Sequence, residues 1–288
     1  MKSFFIDIES KKEIINLYYK KLHELNIPHE FITIETSFGD TSVITAGQSK
    51  NQPLLLVHDI HSCAPIALEA MKSLIGKFRI YAIDVIGQPN TSAEIRLDTK
   101  NDDYGRWLYE IQSRLNIYNA YLVGISFGGF IVWKALSYDQ SRISKAFLIA
   151  PVGIVKRNRI HNYSKVVVPL KLFQWLKNTK YLQYYMKHLF SEHNSFMEEY
   201  LSKVVLGYKM HYASISNITK KEAASIQIPL YIIAAKNDIF FPSKKLISKA
   251  KSIFPSLKEI LFLKNAKHVP NKEEYHAIAT FVKSNIND

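Results

Sequence analysis

The segment Gly124-Ile125-Ser126-Phe127-Gly128-Gly129 places a serine between glycines two positions before it and two after it. That spacing suits a turn so tight that neighbouring side chains would collide, with the serine Oγ projecting at the start of a helix. A serine hydroxyl is a weak nucleophile and needs a base that is itself oriented by a carboxylate. Two later segments offer these groups. Asp238 lies in Ala-Ala-Lys-Asn-Asp-Ile-Phe-Phe-Pro and His268 in Lys-Asn-Ala-Lys-His-Val-Pro, each just beyond a short apolar run. Together the three residues could carry acyl transfer through a covalent serine intermediate.

Such groups meet only if the chain gathers them along one edge. Residues 10–26 carry Ile14, Ile15, Leu17, Tyr18, Leu22 and Leu25 at helical spacing, so an amphipathic helix opens the chain. Phe31–Ser37 and Thr41–Ala46 alternate around Phe38-Gly39-Asp40 and predict a hairpin. Short, nearly continuous apolar runs follow at 54–57, 79–83, 120–123 and 146–149, as expected of strands buried on both faces. Helical patterns at 65–76, 102–115 (with Asn101 or Asp102 as N-cap) and 127–137 separate them. This alternation predicts an α/β fold with a parallel sheet, whose strand C-termini line one edge. It stops after Pro151 and resumes with a strand at 230–234, a helix at 243–253, a strand at 257–263 and a helix at 273–285. The expected organisation is a core formed by residues 1–151 and 225–288, interrupted by a helical insertion at 152–224.

The chain resembles the α/β-hydrolase superfamily, and within it the carboxylesterase-like members with a helical cap. The resemblance rests on Leu54-Leu55-Leu56-Val57-His58 before a loop, on Asp84-Val-Ile-Gly87-Gln-Pro-Asn90-Thr-Ser92 after the next strand, on the serine turn, on Asn237-Asp238 with Pro242, and on the histidine loop. It implies a mostly parallel eight-stranded sheet flanked by helices, no cofactor, and a catalytic triad with Ser126 as nucleophile, Asp238 as acid and His268 as base. It also implies an oxyanion hole made by the backbone N–H groups of Ile60 and Phe127. Here the sequence departs from the family, because Asp59 stands where glycine is usual. A carboxylate facing the hole would oppose oxyanion charge, so Asp59 is expected to point away or to be neutralised by His61.

Other candidates have structural explanations. Cys63 reads as a small buried hydrophobe, and Asp84 as a hydrogen-bonding partner for the Gly87–Ser92 turn. The histidines at 161, 188, 193 and 211 match no compact metal site, so metal catalysis is not expected. The aromatic residues of the insertion, Trp175, Tyr181, Tyr184, Tyr185, Phe190, Phe196 and Tyr200, are expected mostly to form its own core, with a minority lining a substrate cavity.

Composition bounds the function classes. The 288 residues, 47% of them hydrophobic and 22% charged, suit a large soluble core, and a single cysteine excludes an internal disulfide framework. Asp7 breaks the first apolar stretch, so no signal-peptide segment forms and a cytoplasmic location is expected. The net charge of +13 is scattered and accompanies no nucleic-acid-binding motif; neither nucleic acid nor stable membrane insertion is expected. Residues 152–224 hold twelve Lys and Arg against four Glu, however, and Lys156, Arg157, Arg159 and Lys165 could steer an anionic or carrier-bound ester. The expected function is a serine carboxylesterase. Thioester hydrolysis, carrier-protein ester hydrolysis, C–C hydrolysis and acyl transfer use the same residues, and a non-catalytic small-ligand-binding protein on the same fold is the alternative of a different class.

Overall fold

The computed structural model describes residues 3–156, 163–210 and 215–286. Helix α1 (Ile8–Glu24) starts where the Asp7 carboxylate accepts the Ser10 amide at 2.7 Å, and it buries Ile14, Leu17, Tyr18 and Leu22. Strands β1 (His29–Thr36) and β2 (Gly39–Ala46) form the antiparallel hairpin expected around Gly39. There follow β3 (Gln52–Val57), α2 (Ala64–Ala70), β4 (Phe78–Ile83), α3 (Asp103–Arg114), β5 (Ala120–Ile125), α4 (Phe127–Tyr138) and β6 (Ile143–Ile149). Asp102 precedes α3 but caps nothing with its side chain; the Asn101 Oδ1 accepts the Asp103 amide instead.

Between β6 and β7 lie a π-helical turn (Tyr163–Val167), α5 (Val168–Leu176), α6 (Thr179–Leu189), α7 (Ser195–Gly207) and α8 (Lys220–Ser225). The chain closes with β7 (Leu230–Ala235), α9 (Ser243–Ile253), β8 (Leu257–Leu263) and α10 (Lys272–Ser284). The sheet order is β1-β2-β4-β3-β5-β6-β7-β8, and β2 alone runs against the others. This is the α/β-hydrolase fold. The order reverses between β3 and β5, so the loops after these two strands diverge and leave a crevice at the carboxyl edge.

Alternate residues of each central strand feed two cores. Leu55, Val57, Leu122, Leu148 and Ile232 pack against α3, α4 and α9 on one face. Leu54, Leu56, Val123, Phe147 and Ile233 pack against α1, α2 and α10 on the other. Strands buried on both sides need apolar residues at every position, which is why these runs lack the usual alternation.

A third cluster, with Val166, Leu170, Phe173, Leu182, Met186 and Leu189, lies within the β6–β7 segment. The aromatic residues of that segment do not mostly join it. Trp175 is 80% exposed and Tyr184 46%, whereas Tyr200 is fully buried against the α1 side of the sheet. Helix α7 gives Leu201 and Val205 to the third cluster and docks its other side on the main body, where the Tyr200 hydroxyl donates to the Pro89 carbonyl and the Tyr208 hydroxyl to that of Gly87. A helical period marks which residues share a face but not which surface that face meets.

Candidate active site

The turn after β5 holds Ser126 at φ 52°, ψ −103°, a left-handed conformation at the first step of α4. Two flanking glycines make it possible. A Cβ on Gly124 would lie 2.4 Å from the Gly128 carbonyl oxygen, and one on Gly128 only 2.1 Å from the Val57 carbonyl oxygen. The second contact presses the N-terminus of α4 onto the end of β3, and so onto the loop that begins with His58 and Asp59.

Beyond β7, Asp238 is fixed by its Oδ1, which accepts the amides of Phe240 at 2.8 Å and Phe241 at 3.1 Å. Its Oδ2 lies 2.8 Å from His268 Nδ1, and His268 Nε2 lies 2.9 Å from Ser126 Oγ. A carboxylate only accepts, so Nδ1–H donates to it and Nε2 is left to accept from the serine hydroxyl. All three side chains are buried. The loops carrying Asp238 and His268 are laced together by the Asn237 amide donating to the Ala266 carbonyl at 2.9 Å. On its other side the histidine loop pairs with the end of α6: Val269 N–H donates to the Leu189 carbonyl and Ser191 N–H to that of Val269, both at 2.9 Å.

The presumed oxyanion donors also converge, but not on empty space. Asp59 points inward. Its Oδ1 accepts the Ile60 amide at 2.6 Å and the Phe127 amide at 3.2 Å, and its Oδ2 lies 4.0 Å from His268 Nε2. The expectation that Asp59 turns away is therefore overturned: its short side chain reaches back onto the amide of the next residue and onto that of Phe127, which the close approach at Gly128 brings near. The His61 amide donates to Gln88 Oε1, and His61 itself is left-handed at φ 56°.

The Asp59 loop is held from beneath by His58. This fully buried imidazole donates from Nδ1 to the Asp59 carbonyl at 2.7 Å and accepts the Val85 amide on Nε2 at 2.9 Å. Burial lowers its pKa to about 4. Neighbouring Asp84, 3.9 Å away, is pushed up to about 6, again chiefly by burial. Its carboxylate accepts the Ala64 amide at 2.7 Å and the Thr91 hydroxyl at 2.9 Å. It thus ties the 87–92 turn through a hydroxyl and ties the start of α2 through a backbone N–H, a long-range contact that local turn reasoning does not reach. Cys63 is buried as expected, its thiol pushed up by burial and then by the Asp84 charge.

The two buried groups act oppositely on stability. His58 takes a proton more readily in the unfolded chain, so it withdraws stability as pH falls from about 6.5 toward about 4. Asp84 takes one more readily when folded, so it adds stability as pH falls from about 6 toward 3.8. The two effects oppose each other as pH falls. In Asp84→Asn the amide can still accept from Ala64 and can donate to Thr91, but only the His58 effect remains. The variant is expected to lose more stability than the parent between neutral pH and about pH 4, read from urea midpoints. Parallel pH profiles of the two proteins would contradict this.

A cavity of ≈ 390 Å³ opens onto Ser126, His268, Asp59 and Ile60 and is walled largely by Val166, Leu170, Leu189, Leu201, Val205 and Phe240. Its size is within the usual range for small-ligand sites. Tyr185 lines it, as does one lysine, Lys171. Of the basic residues expected at the mouth, Lys156 is exposed and Lys165 half-buried, while Arg157 and Arg159 lie outside the described residues. The apolar periodicity of 166–173 is the one sequence signal that could have pointed to this wall. Nothing in it says that the face is shared between a packed cluster and a cavity.

A family model described as alpha/beta hydrolase fold matches residues 53–275. The chain is 24% identical over 247 residues to a protein of Bacillus subtilis (strain 168) described as an uncharacterized carboxylesterase, nap, covering 84% of this chain and 81% of that one. It is 22% identical over 277 residues to carboxylesterase YbfK of the same organism, covering 94% and 92%. The crystal structure of carboxylesterase CesB (YbfK) from Bacillus subtilis superposes with a TM-score of 0.84 at 20% identity, covering 96% of this chain and 98% of that one. That of naproxen esterase from the same species gives 0.83 at 20% identity, covering 97% and 99%.

Proposed function

Because the chain belongs to the alpha/beta hydrolase fold family, we propose that it is a serine hydrolase that cleaves carboxylic esters through an acyl-enzyme on Ser126. The observation that carries this reading is the continuous hydrogen-bond chain from Ser126 Oγ through His268 to Asp238, laid beside two converging amides. In the mechanism, Ser126 Oγ attacks the acyl carbon while its proton passes to His268 Nε2. Asp238 holds the imidazole tautomer and stabilises the cation that forms. The Ile60 and Phe127 amides then take the oxyanion once Asp59 has left them. His268 returns the proton to the departing alkoxide, and water, deprotonated by the same nitrogen, releases the acid.

The described residues of 152–224 act as a cap over the serine and contribute most of the apolar wall of the cavity, which suits an uncharged acyl group. The names of the two carboxylesterase relatives favour an ester over a thioester or a C–C substrate. Among the described residues no helix is long and apolar enough to cross a membrane.

The carboxylate at the oxyanion donors favours one other reading, a ligand-binding protein that does not turn its ligand over. Labelling with a fluorophosphonate separates the two, since only an activated serine reacts quickly. Covalent modification is expected at Ser126 and is expected to vanish in His268→Ala. An unlabelled, folded wild-type protein would leave the binding reading in its place.

A further inference from the structure

Building on the proposed esterase activity, we infer that Asp59 is a built-in competitor for the oxyanion hole, so that the resting enzyme is gated by its own side chain. Both amides that would bind the oxyanion are engaged by one oxygen of Asp59, at 2.6 and 3.2 Å. The second oxygen lies 4.0 Å from the imidazole nitrogen that would take the serine proton. The carboxylate thus sits where a tetrahedral intermediate would place its negative oxygen, and the two cannot share the amides. Nor is the arrangement a consequence of a loose loop. His58 clamps the Asp59 carbonyl from below, Gln88 takes the next amide but one, and Gly128 admits α4 close enough for the Phe127 amide to reach the carboxylate.

The energetic consequence is specific. Turnover requires the fraction of molecules in which Asp59 has swung out, and a substrate must draw on that fraction whatever its acyl chain. The gate therefore lowers kcat/KM by one common factor for every ester. A residue that shaped the acyl pocket would instead change short and long esters unequally. Hydrogen bonds to an ionised acceptor are about twice as strong as those to a neutral one, so an amide at position 59 should hold the gate less firmly than the carboxylate, and alanine should not hold it at all.

The test compares wild type, Asp59→Asn and Asp59→Ala on p-nitrophenyl acetate, butyrate and octanoate, together with the second-order rate of fluorophosphonate labelling. The expected result is a rise in kcat/KM of about ten- to a hundredfold in Asp59→Ala. The same factor should hold across the three esters and in labelling, with Asp59→Asn between the two; should the alanine variant fail to fold, the asparagine variant carries the comparison. An active wild type with equal or faster rates than both variants would overturn the gate while leaving the esterase reading intact. So would gains that differ between acetate and octanoate, which would assign Asp59 to acyl recognition. If wild type and variants alike neither hydrolyse nor label, the esterase reading fails and the gate falls with it.

Discussion

Ser126→Ala is expected to lower kcat/KM for a p-nitrophenyl ester by ~10⁶-fold, close to the background rate, with the fold retained. The size follows from covalency, because without Oγ there is no acyl-enzyme and the amides and the imidazole have no bond-forming partner to assist. Retention of the fold follows from the local backbone. Serine and alanine carry the same Cβ, so the left-handed conformation at φ 52° is no more strained in one than in the other. The hydroxyl contributes one side-chain hydrogen bond, to His268. The thermal midpoint should therefore move by only a few degrees. A variant that stays folded and keeps more than a thousandth of the parent activity would refute the assignment of the nucleophile.

Asp238→Asn should cost ~10⁴-fold in kcat, and here the backbone dictates why. Oδ1 of residue 238 is held by two amide donors, Phe240 and Phe241, which an asparagine can satisfy only with its carbonyl oxygen. Its NH₂ must then face His268 Nδ1. An N–H aimed at that nitrogen forces the imidazole proton onto Nε2, the atom that has to accept from Ser126. The base is present, correctly placed and of the wrong tautomer. Nitrogen chemical shifts of His268 in the variant should report protonation at Nε2. Near-parent activity, or an unchanged tautomer, would exclude Asp238 as the orienting acid.

Much of this was legible in the sequence because the relevant signals are covalent and local. Glycines at 124 and 128 are required by a backbone approach that no other residue tolerates, and runs such as 54–57 and 120–123 are apolar throughout because both of their faces are covered. Asp238 and His268 could be picked out since each follows such a run. Other features depend on side-chain direction, which spacing does not encode. The departure from glycine at 59 was visible, but not that the carboxylate turns onto the amides of Ile60 and Phe127 rather than into solvent. Likewise a helical insertion at 152–224 was expected, while the docking of α7 on the α1 side of the sheet through Tyr200 and Tyr208 depends on partners more than a hundred residues away. Trp175, a large aromatic in a helical stretch, would be assigned to a core on hydrophobicity alone, and it is exposed.

The pairing of Val269 with Leu189 and Ser191 joins the histidine loop to the end of α6 by backbone bonds, one residue away from the imidazole. A movement of the end of α6 that keeps these bonds would also shift the backbone beside His268 relative to Ser126, to which its Nε2 is hydrogen-bonded.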